Sequence, residues 1–275
     1  MLVGLNAILQ DARAHHRAVG AFDTPNFECL NAVIRAAETL RLPVIISHAE
    51  LHESVSHLAD IGPAMVGAAE RAHVPVCVHL DHCESLSYLT RAIDIGFTGV
   101  MYDGSGLPYE KNLAMTKEAA KLAHEAGVGI EAELGALPSR DGRTAGPVYT
   151  DPDEAAAFVR ETGIDALAPS FGTAHGIYRE APRIDYARIA AITEKTALPL
   201  VMHGGSGVSP DDYRRCIRNG IRKINYYTYM SYAGTKAVRE LLAAEDVTYF
   251  HSIAYVAENA MEQDAENAMR IFSMA

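Results

Sequence analysis

The sequence feature that most constrains the fold is a regular alternation between short apolar segments and longer segments with helical periodicity. Strand patterns occur at eight positions: Val19–Asp23, Pro43–Ser47, Val76–His82, Gly99–Asp103, Val128–Glu133, Ala166–Ser170, Pro199–His203 and Ile221–Asn225. Helical patterns lie around them: Leu5–Arg17, Asn26–Leu40, Pro63–Ala72, Ser85–Ile95, Leu113–Ala126, Asp153–Thr162, Tyr186–Thr196, Pro210–Asn219, Ser231–Ala244 and Ser252–Phe272. This alternation predicts parallel strands joined by crossover helices, the pattern of an α/β fold.

The spacing of the strands narrows the architecture further. The strands follow one another evenly, and no linker-like segment interrupts the series between residues 1 and 275. These features predict a single (β/α)8 TIM barrel as one catalytic domain, with a C-terminal helical segment at about 252–272. A doubly wound open sheet is the alternative, but no Gly-x-Gly-x-x-Gly motif follows the first strand. We therefore expect the barrel.

Charge and cysteine content restrict the partners and the compartment. The formal net charge is −11, which argues against nucleic acid or an anionic membrane as the main partner. The first residues lack the basic start and apolar core of a signal peptide, and we find no stretch that could span a membrane. The four cysteines show no paired spacing and are expected to be free thiols. We expect a cytoplasmic protein that acts on a small molecule.

Chemically active side chains gather at the predicted carboxyl ends of the strands, where barrel enzymes have their active sites. They are Asp23, His48, Glu50, Asp81, His82, Asp103, Glu133, His175, His203 and Asn225. Three of them, His82, His175 and His203, are imidazoles on different strands, and imidazole is the commonest zinc ligand. Any one of them alone is most simply a structural histidine. Three together predict a catalytic metal site with an open position.

The third strand ends in two adjacent polar residues, Asp81 and His82. Neighbouring residues of a strand face opposite sides, so both can reach one site only if the chain turns there. With such a turn, a metal ligand would lie beside a general acid or base. The alternative is that Asp81 caps the next helix and that His82 is a surface histidine.

The segment His203-Gly204-Gly205-Ser206-Gly207 predicts an anion site. Glycines bring backbone N–H groups close together, and the next helix begins near Ser209 and Pro210, so its N-terminus can face an anion. Side chains of the segment 225–228 can add donors, and barrels often bind phosphate after strands seven and eight. A metal, a phosphate site and Asp81 together predict chemistry beside a carbonyl, in which the metal polarises a ketone and Asp81 moves a proton.

These motifs resemble those of class II ketose-bisphosphate aldolases of the fructose- and tagatose-bisphosphate type, and the resemblance covers nearly the full length of the chain. Its anchors are His79-Leu80-Asp81-His82, Tyr102-Asp103-Gly104-Ser105, Glu131-Ala132-Glu133-Leu134-Gly135, Gly172-Thr173-Ala174-His175-Gly176, His203-Gly204-Gly205-Ser206-Gly207 and Lys223-Ile224-Asn225. The resemblance implies a zinc-dependent lyase. Its reaction is reversible cleavage of a ketose 1-phosphate or 1,6-bisphosphate to dihydroxyacetone phosphate and an aldehyde.

The resemblance also implies roles for individual residues. His82, His175 and His203 would bind one catalytic zinc, and Asp81 would transfer the proton at the aldehyde-derived oxygen. The residues implied to hold the phosphate of dihydroxyacetone phosphate are Gly176, Gly204, Gly205, Ser206, Asn225 and Thr228. Asp103 and Glu133 match positions that bind a second or alternative metal in the family, so a second or monovalent cation is a further expectation. Family members form dimers or tetramers, which implies a homodimer or homotetramer here.

Residues expected near the aldehyde half of the substrate depart from the family pattern. Asp23 replaces the usual asparagine, and His48-Ala49-Glu50 replaces the usual small residues. Asp23 and Glu50 would repel a distal phosphate unless His48 or an arginine compensates. We therefore expect a ketose 1-phosphate whose far end is not phosphate. The alternative is that Asp23, His48 and Glu50 pair with one another.

Two other functions stay open at this point. One is a metal-dependent sugar or sugar-phosphate epimerase, which would share the barrel, the metal and the proton abstraction. The other is a non-catalytic barrel subunit. It is permitted by a short loop from Leu134 to Thr150, whose only carboxylate, Asp141, would have to replace a glutamate that many family members use. The presence of Asp81 together with all three histidines argues against a non-catalytic protein.

Overall fold

The computed structural model describes residues 1–135 and 149–275. Eight parallel strands form a closed barrel in which each strand pairs with the next and β8 pairs with β1. The strands are β1 Val19–Asp23, β2 Val44–Ala49, β3 Val76–Cys83, β4 Gly99–Tyr102, β5 Gly129–Leu134, β6 Ala166–Pro169, β7 Leu200–Met202 and β8 Ile221–Asn225. The predicted (β/α)8 barrel is confirmed.

Helices surround this barrel and connect its strands. They are α1 Leu5–Ala14, α2 Phe27–Leu40, α3 Leu58–Arg71, α4 Leu86–Ile95, α5 Tyr109–Glu125, α6 Pro152–Thr162, α7 Tyr186–Thr196, α8 Pro210–Arg218, α9 Thr228–Ala244 and α10 Phe250–Phe272. A 3-10 helix, Glu50–Ser54, follows β2 directly. Among the helices of the described ranges, none is both long and apolar enough for a membrane span. In the loop expected after Glu133, residues 136–148, and with them Asp141, lie outside the described residues.

The core has two parts because strand residues alternate between the barrel axis and the surrounding helices. Small and branched side chains such as Ala21, Ile45 and Val201 fill the interior and form one cluster with Leu5 and Ile8 of α1. The start of α1 is tied to the amino-terminal ends of the strands, where the Leu5 N–H donates to the Thr98 carbonyl oxygen. Helix α1 therefore closes that end of the barrel and leaves the carboxyl ends of the strands open.

The last helix, expected over about 252–272, packs against α2 and α9. Its buried residues are Met261, Ala265, Ala268, Met269 and Phe272. The Phe272 ring contacts the rings of Tyr213 and Tyr226 edge-on, with centroids 4.9 and 6.0 Å away. This packing anchors the segment that leads from β8 into α9, which borders the site described next.

Candidate active site

The end of β3 turns, as a shared site for Asp81 and His82 requires. The register between β3 and β4 shifts between Leu80 and Cys83, and His82 has a left-handed backbone with φ of 42°. Such a backbone is uncommon for residues other than glycine and concentrates at functional sites. Both side chains line one cavity. The helix that follows is capped by Ser85, whose Oγ accepts the Tyr88 N–H, so Asp81 is not its cap.

A cavity of about 670 Å³ opens at the carboxyl ends of the strands. This volume is typical of a site for a small molecule. Most residues predicted for the site line it: Asp23, Glu50, Asp81, His82, Asp103, His175, Gly176, Gly204, Gly205, Ser206, Asn225 and Thr228. His203 and Glu133 are buried behind His82, with the His203 Nδ1 atom 2.9 Å from His82 Nε2 and 3.6 Å from Glu133 Oε2.

The three predicted metal ligands converge. The His82 ring centroid lies 4.9 Å from that of His175 and 4.6 Å from that of His203, and the other two centroids are 5.9 Å apart. Each residue offers a ring nitrogen within 4.8 Å of the other two. The barrel therefore brings together residues that are far apart in the sequence, because β3, β6 and β7 all end at the same rim.

Two carboxylates orient these imidazoles. Asp103 Oδ2 lies 2.7 Å from His82 Nδ1, and Glu131 Oε1 lies 2.8 Å from His203 Nε2. Because each of those nitrogens faces a carboxylate, each carries the ring proton, which leaves His82 Nε2 and His203 Nδ1 as lone pairs. Those two atoms lie 2.9 Å apart and share a proton as long as no metal is bound; once that proton leaves, both are free to coordinate a metal. The donor set therefore fits a divalent metal such as zinc.

The electrostatics of this cluster favour positive charge. Burial opposes protonation of His82, but Asp81 and Asp103 outweigh it and raise the pKa of that imidazole well above its usual value. Burial followed by the neighbouring Asp103 raises the pKa of Glu133 well above its usual range. One group that could hold a cation combines His82 with Asp103 and Glu133. The residues of this cluster could therefore hold a cation.

Sequence reasoning missed a buried ionic network beneath the ligands. Lys223 Nζ lies 2.8 Å from Glu131 Oε2 and 3.9 Å from Asp81 Oδ1, and all three side chains are inaccessible or nearly so. Burial would raise the pKa of Glu131, but Lys223 and His203 lower it to about 2. The available signal was a lysine between two isoleucine positions of a predicted barrel strand, since a charge buried there needs a partner.

Asp81 is held ionised and fixed in position. Burial opposes its ionisation, but His82 and Lys223 keep the pKa of its carboxyl well below the usual range. The Asn225 amide donates to both of its oxygens, at 3.0 and 3.1 Å. Asn225 was predicted to contact the substrate phosphate; it lines the cavity, and its amide already holds Asp81. A fixed, ionised carboxylate beside three imidazoles can accept a proton from a substrate hydroxyl.

The glycine segment after β7 packs tightly on the loop after β6. Gly204 has φ of 62°, and a Cβ at that position would collide with the carbonyl oxygen of Ala174. The Tyr178 hydroxyl joins the two loops, since it accepts the Ala174 N–H at 2.7 Å and donates to the Gly204 carbonyl at 2.8 Å. The segment thus holds His175, the neighbour of Ala174, beside the cavity.

The helix N-terminus at the cavity differs from the one expected. Tyr227 and Thr228, at the start of α9, line the cavity, whereas Ser209 and Pro210, at the start of α8, are not among its lining residues. The Tyr227 N–H donates to Ser206 Oγ at 3.0 Å and joins this start to the glycine segment.

The residues expected near the aldehyde half are not all brought together. Asp23 and Glu50 line the cavity, but His48 faces the helix layer, with its Nε2 atom 2.9 Å from the Tyr88 hydroxyl. Glu50 Oε2 accepts the N–H of Glu84 at 2.9 Å, and within the described ranges no bond joins Asp23, His48 and Glu50 to one another. Burial, followed by the charge of Asp81, raises the pKa of Asp23 to about 8, so its carboxyl is a hydrogen-bond donor at neutral pH.

His52 also lines this part of the cavity and was not predicted. It lies on the 3-10 helix, with its ring centroid 5.5 Å from that of Tyr227. The sequence offered little signal for it, because the segment Glu50–Ser54 carries no helical period long enough to show which residues face inward.

Comparison with known proteins identifies the relatives of this chain. A family model described as class-II fructose-bisphosphate aldolase matches residues 3–275. A fructose-bisphosphate aldolase of Geobacillus stearothermophilus is 38% identical over 253 residues, which cover 90% of this chain and 88% of that protein. A 6-phospho-5-dehydro-2-deoxy-D-gluconate aldolase of Halalkalibacterium halodurans is 37% identical over 277 residues, covering 98% and 96%.

The fold has a similarly strong match among solved structures. The YdjI aldolase from Escherichia coli K12 superposes with a TM-score of 0.90 at 34% sequence identity. The match covers 99% of this chain and 97% of that one.

Proposed function

This chain belongs to the class-II fructose-bisphosphate aldolase family, and we propose that it binds zinc and reversibly cleaves a ketose 1-phosphate or 1,6-bisphosphate to dihydroxyacetone phosphate and an aldehyde. It is an aldolase, a carbon–carbon lyase. The relatives do not favour the two other functions considered from the sequence, an epimerase and a non-catalytic subunit.

One observation supports this function above the others. The ring nitrogens of three imidazoles lie within 4.8 Å of one another, and two of these residues, His82 and His175, line one cavity with His203 buried behind them. Asp81 and the glycine segment 204–206 line the same cavity. We assign His82, His175 and His203 as the zinc ligands. Bound zinc supplies a Lewis acid that withdraws electrons from the ketose carbonyl. We assign Gly176, Gly204, Gly205, Ser206 and Thr228 to the phosphate, since backbone N–H groups and a helix start suit an anion.

Asp81 performs the proton transfer in this proposal. Its carboxylate accepts the proton of the C4 hydroxyl as the C3–C4 bond breaks and the bonding electrons stay on the C3 side as an enediolate, which gains a proton from solvent at C3 to give dihydroxyacetone phosphate. In the reverse direction Asp81 returns its proton to the aldehyde oxygen. The amide of Asn225 keeps both oxygens in position, as its two hydrogen bonds to them indicate. Glu131 acts through His203 and Asp103 through His82, each by fixing the ring orientation.

A second cation position completes the proposed metal chemistry. Asp103, Glu133 and His82 offer ligand atoms within 4.8 Å of one another. Two of these are carboxylate oxygens, which suit a hard divalent cation or a monovalent one. We assign this group to a second or alternative cation.

We propose further that the protein is a homodimer or homotetramer in the cytoplasm. Large apolar side chains are exposed near the junction of α9 and α10, with Phe250 78% and Tyr249 65% accessible, and exposed patches of this kind mark interfaces. The four cysteines are free and buried, as in a reducing compartment.

A coupled assay for dihydroxyacetone phosphate tests the function. The purified protein is given a panel of ketose 1-phosphates and 1,6-bisphosphates, with and without a chelator. We expect release from at least one sugar, loss of release with the chelator, and recovery on adding zinc. Absence of release from the whole panel by zinc-loaded protein would contradict the proposal.

A further inference from the structure

Resting on the proposed function, we infer that the far end of the substrate is an uncharged, hydroxyl-bearing chain, and that Glu50 and His52 of the 3-10 helix select it. This end of the cavity is defined by elimination. The metal ligands and the glycine segment follow β3, β6 and β7, and Thr228 starts α9. Asp81, Asn225 and Asp103 already have assigned roles in proton transfer and cation binding. The lining residues that remain are Asp23, Ala49, Glu50, Leu51, His52, Glu84, Tyr226 and Tyr227.

The charge of this end is unsuited to a phosphate. Among the described residues that line the cavity there is no lysine or arginine, whereas Glu50 and Glu84 are carboxylates. Phosphate sites normally supply arginine, lysine or a helix N-terminus. A dianion beside two carboxylates would meet repulsion in place of those contacts. Among the described residues that line this end of the cavity, none supplies the cation that would compensate a second phosphate.

His48 does not supply the missing compensation. Its ring faces Tyr88 and is not among the lining residues. Burial, followed by the neighbouring His52, lowers the pKa of His48 to about 4, so its imidazole is neutral at pH 7. His48 therefore supplies no positive charge to offset Glu50.

His52 is suited to a hydroxyl. It is 7% exposed, and its buried Nδ1 atom has no hydrogen-bond partner among the described residues. Burial lowers the pKa of this imidazole, so the ring is neutral, with one donor and one acceptor nitrogen. A neutral ring can donate to one hydroxyl and accept from another, but offers no charge to a phosphate.

The 3-10 helix holds these groups in fixed positions. Glu53 Oε2 accepts the N–H of Leu58 at 2.8 Å and the hydroxyl of Tyr88 at 2.6 Å. Glu50 Oε2 accepts the N–H of Glu84 at 2.9 Å. The helix is therefore fastened to α3, α4 and the end of β3, and presents Glu50 and His52 as rigid specificity-determining residues.

The test compares kcat/KM for fructose 1-phosphate and fructose 1,6-bisphosphate in zinc-loaded protein. We expect the wild type to prefer the 1-phosphate by about tenfold or more, the scale on which a site distinguishes a mismatched polar group. Glu50→Gln should narrow the preference several-fold by improving the bisphosphate. Glu70→Gln, the same change at an exposed position on α3, should leave the ratio unchanged.

His52 is tested by a pair of variants. His52→Phe should lower kcat/KM for fructose 1-phosphate by about tenfold, because a substrate hydroxyl loses its hydrogen-bond partner. His52→Gln, which can still form a hydrogen bond, should have a kcat/KM between those of His52→Phe and the wild type. Zinc content should not change in either. Preference of the wild type for the bisphosphate would overturn this inference, and so would an unchanged ratio of the two kcat/KM values in Glu50→Gln. The aldolase function would stand in both cases. Failure of zinc-loaded protein to cleave either sugar or any other of the panel contradicts the function itself.

Discussion

At the scale of single residues, the decisive feature is a carboxylate kept ionised inside the barrel. Asp81 is 2% exposed, yet His82 and Lys223 together outweigh its burial and keep its pKa low. A resting base of this kind can take the proton of a substrate hydroxyl without first being activated. Replacing this carboxylate by an amide removes the proton transfer with little change in side-chain shape.

Asp81→Asn is the corresponding prediction. The amide keeps the volume but cannot accept the proton, so kcat should fall by about 10²–10⁴-fold with little change in KM. Steady-state cleavage of the preferred sugar measures this. Bound zinc should be retained, because Asp81 is not an assigned ligand. A kcat within a few-fold of wild type would exclude Asp81 as the proton-transfer residue.

The buried pair of Lys223 and Glu131 leads to a second residue-scale prediction. Lys223→Met should lower the free energy of unfolding of metal-free protein by about 3–5 kcal/mol, because Glu131 would remain buried without its partner. The double variant Lys223→Met/Glu131→Gln removes both charges and should regain part of the lost free energy of unfolding. Urea unfolding measures both variants.

An exposed lysine provides the control for that pair. Among the described residues, Lys121 on α5 pairs only with the exposed Glu125, so Lys121→Met should change the free energy of unfolding by less than about 1 kcal/mol. Equal effects of Lys121→Met and Lys223→Met would show that the buried pair contributes nothing specific.

The neutral histidine His48 predicts a pH dependence. Its pKa is about 4 in the folded protein, below the ordinary 6.5, since burial and His52 outweigh the opposing charge of Glu53. The unfolded chain therefore takes up the proton first. The contribution of His48 to stability is complete above pH 6.5 and is lost as the pH falls towards 4.

His48→Gln tests that dependence. The amide can still pair with the Tyr88 hydroxyl but cannot take up the proton. Between pH 6.5 and 5, the free energy of unfolding of the metal-free variant should fall less steeply than that of the wild type. The difference between the two slopes should correspond to uptake of up to about one proton on unfolding. Parallel pH profiles would contradict the prediction.

The sequence predicted the identity of the site residues better than their contacts. Histidines and carboxylates at strand ends were recognisable because their type and position are visible in the pattern. The left-handed backbone at His82 was not recognisable, because nothing in Leu80-Asp81-His82 requires it. The register shift beside it depends on pairing with β4. The inward direction of Lys223 depends likewise on the closure of the barrel.

At the scale of elements, close contact between the loops after β6 and β7 forms the rim of the site. Gly204→Ala tests it, because φ of 62° and the carbonyl of Ala174 both disfavour a Cβ there. The variant should lose about 1–3 kcal/mol of stability and also bind zinc more weakly, because His175 follows Ala174. Thermal unfolding and metal titration measure the two effects.

Gly106→Ala is the matched control for that loop. A Cβ at Gly106 meets no atom within 4 Å, and its φ is not in the left-handed region. We expect no loss of zinc affinity and a change in stability within about 0.5 kcal/mol. If both glycine variants behave alike, the close approach of the two loops does not position the metal ligands.

The sequence predicted which elements exist but not where several of them begin. Helix α3 was expected to start at Pro63, because proline favours the first turn, but it starts at Leu58, where Glu53 accepts the first N–H. Helices α5 and α9 also start earlier than expected, at Tyr109 and Thr228. For α3, this side-chain hydrogen bond, which a periodicity argument does not include, marks the earlier start.

At the scale of the whole molecule, exposed apolar surface predicts association. The junction of α9 and α10 exposes Leu242, Tyr249, Phe250 and Tyr255. Light scattering after size exclusion should give a mass of at least twice the 29.7 kDa of one chain. Phe250→Ser should shift the equilibrium towards the monomer, whereas Val55→Ser, another exposed apolar position, should not. A monomer at all concentrations would contradict the proposal.

The closed barrel explains how the site assembles from distant segments. Histidines at positions 82, 175 and 203 meet because parallel strands in a barrel all end at one rim, and α1 closes the other end. This topology was predictable from the alternation of elements. The residues proposed to contact the far end of the substrate were harder to predict, because they lie on a 3-10 helix. Its inward residue, His52, carries no sequence signal.

The most direct test of the account is release of dihydroxyacetone phosphate from fructose 1-phosphate by one preparation in three states: as purified, stripped of metal, and restored with zinc. We expect release in the first state, loss in the second, recovery in the third, and a kcat at least about 100-fold lower for zinc-restored Asp81→Asn. Release that survives complete removal of metal, or that persists in Asp81→Asn at the wild-type rate, would contradict it.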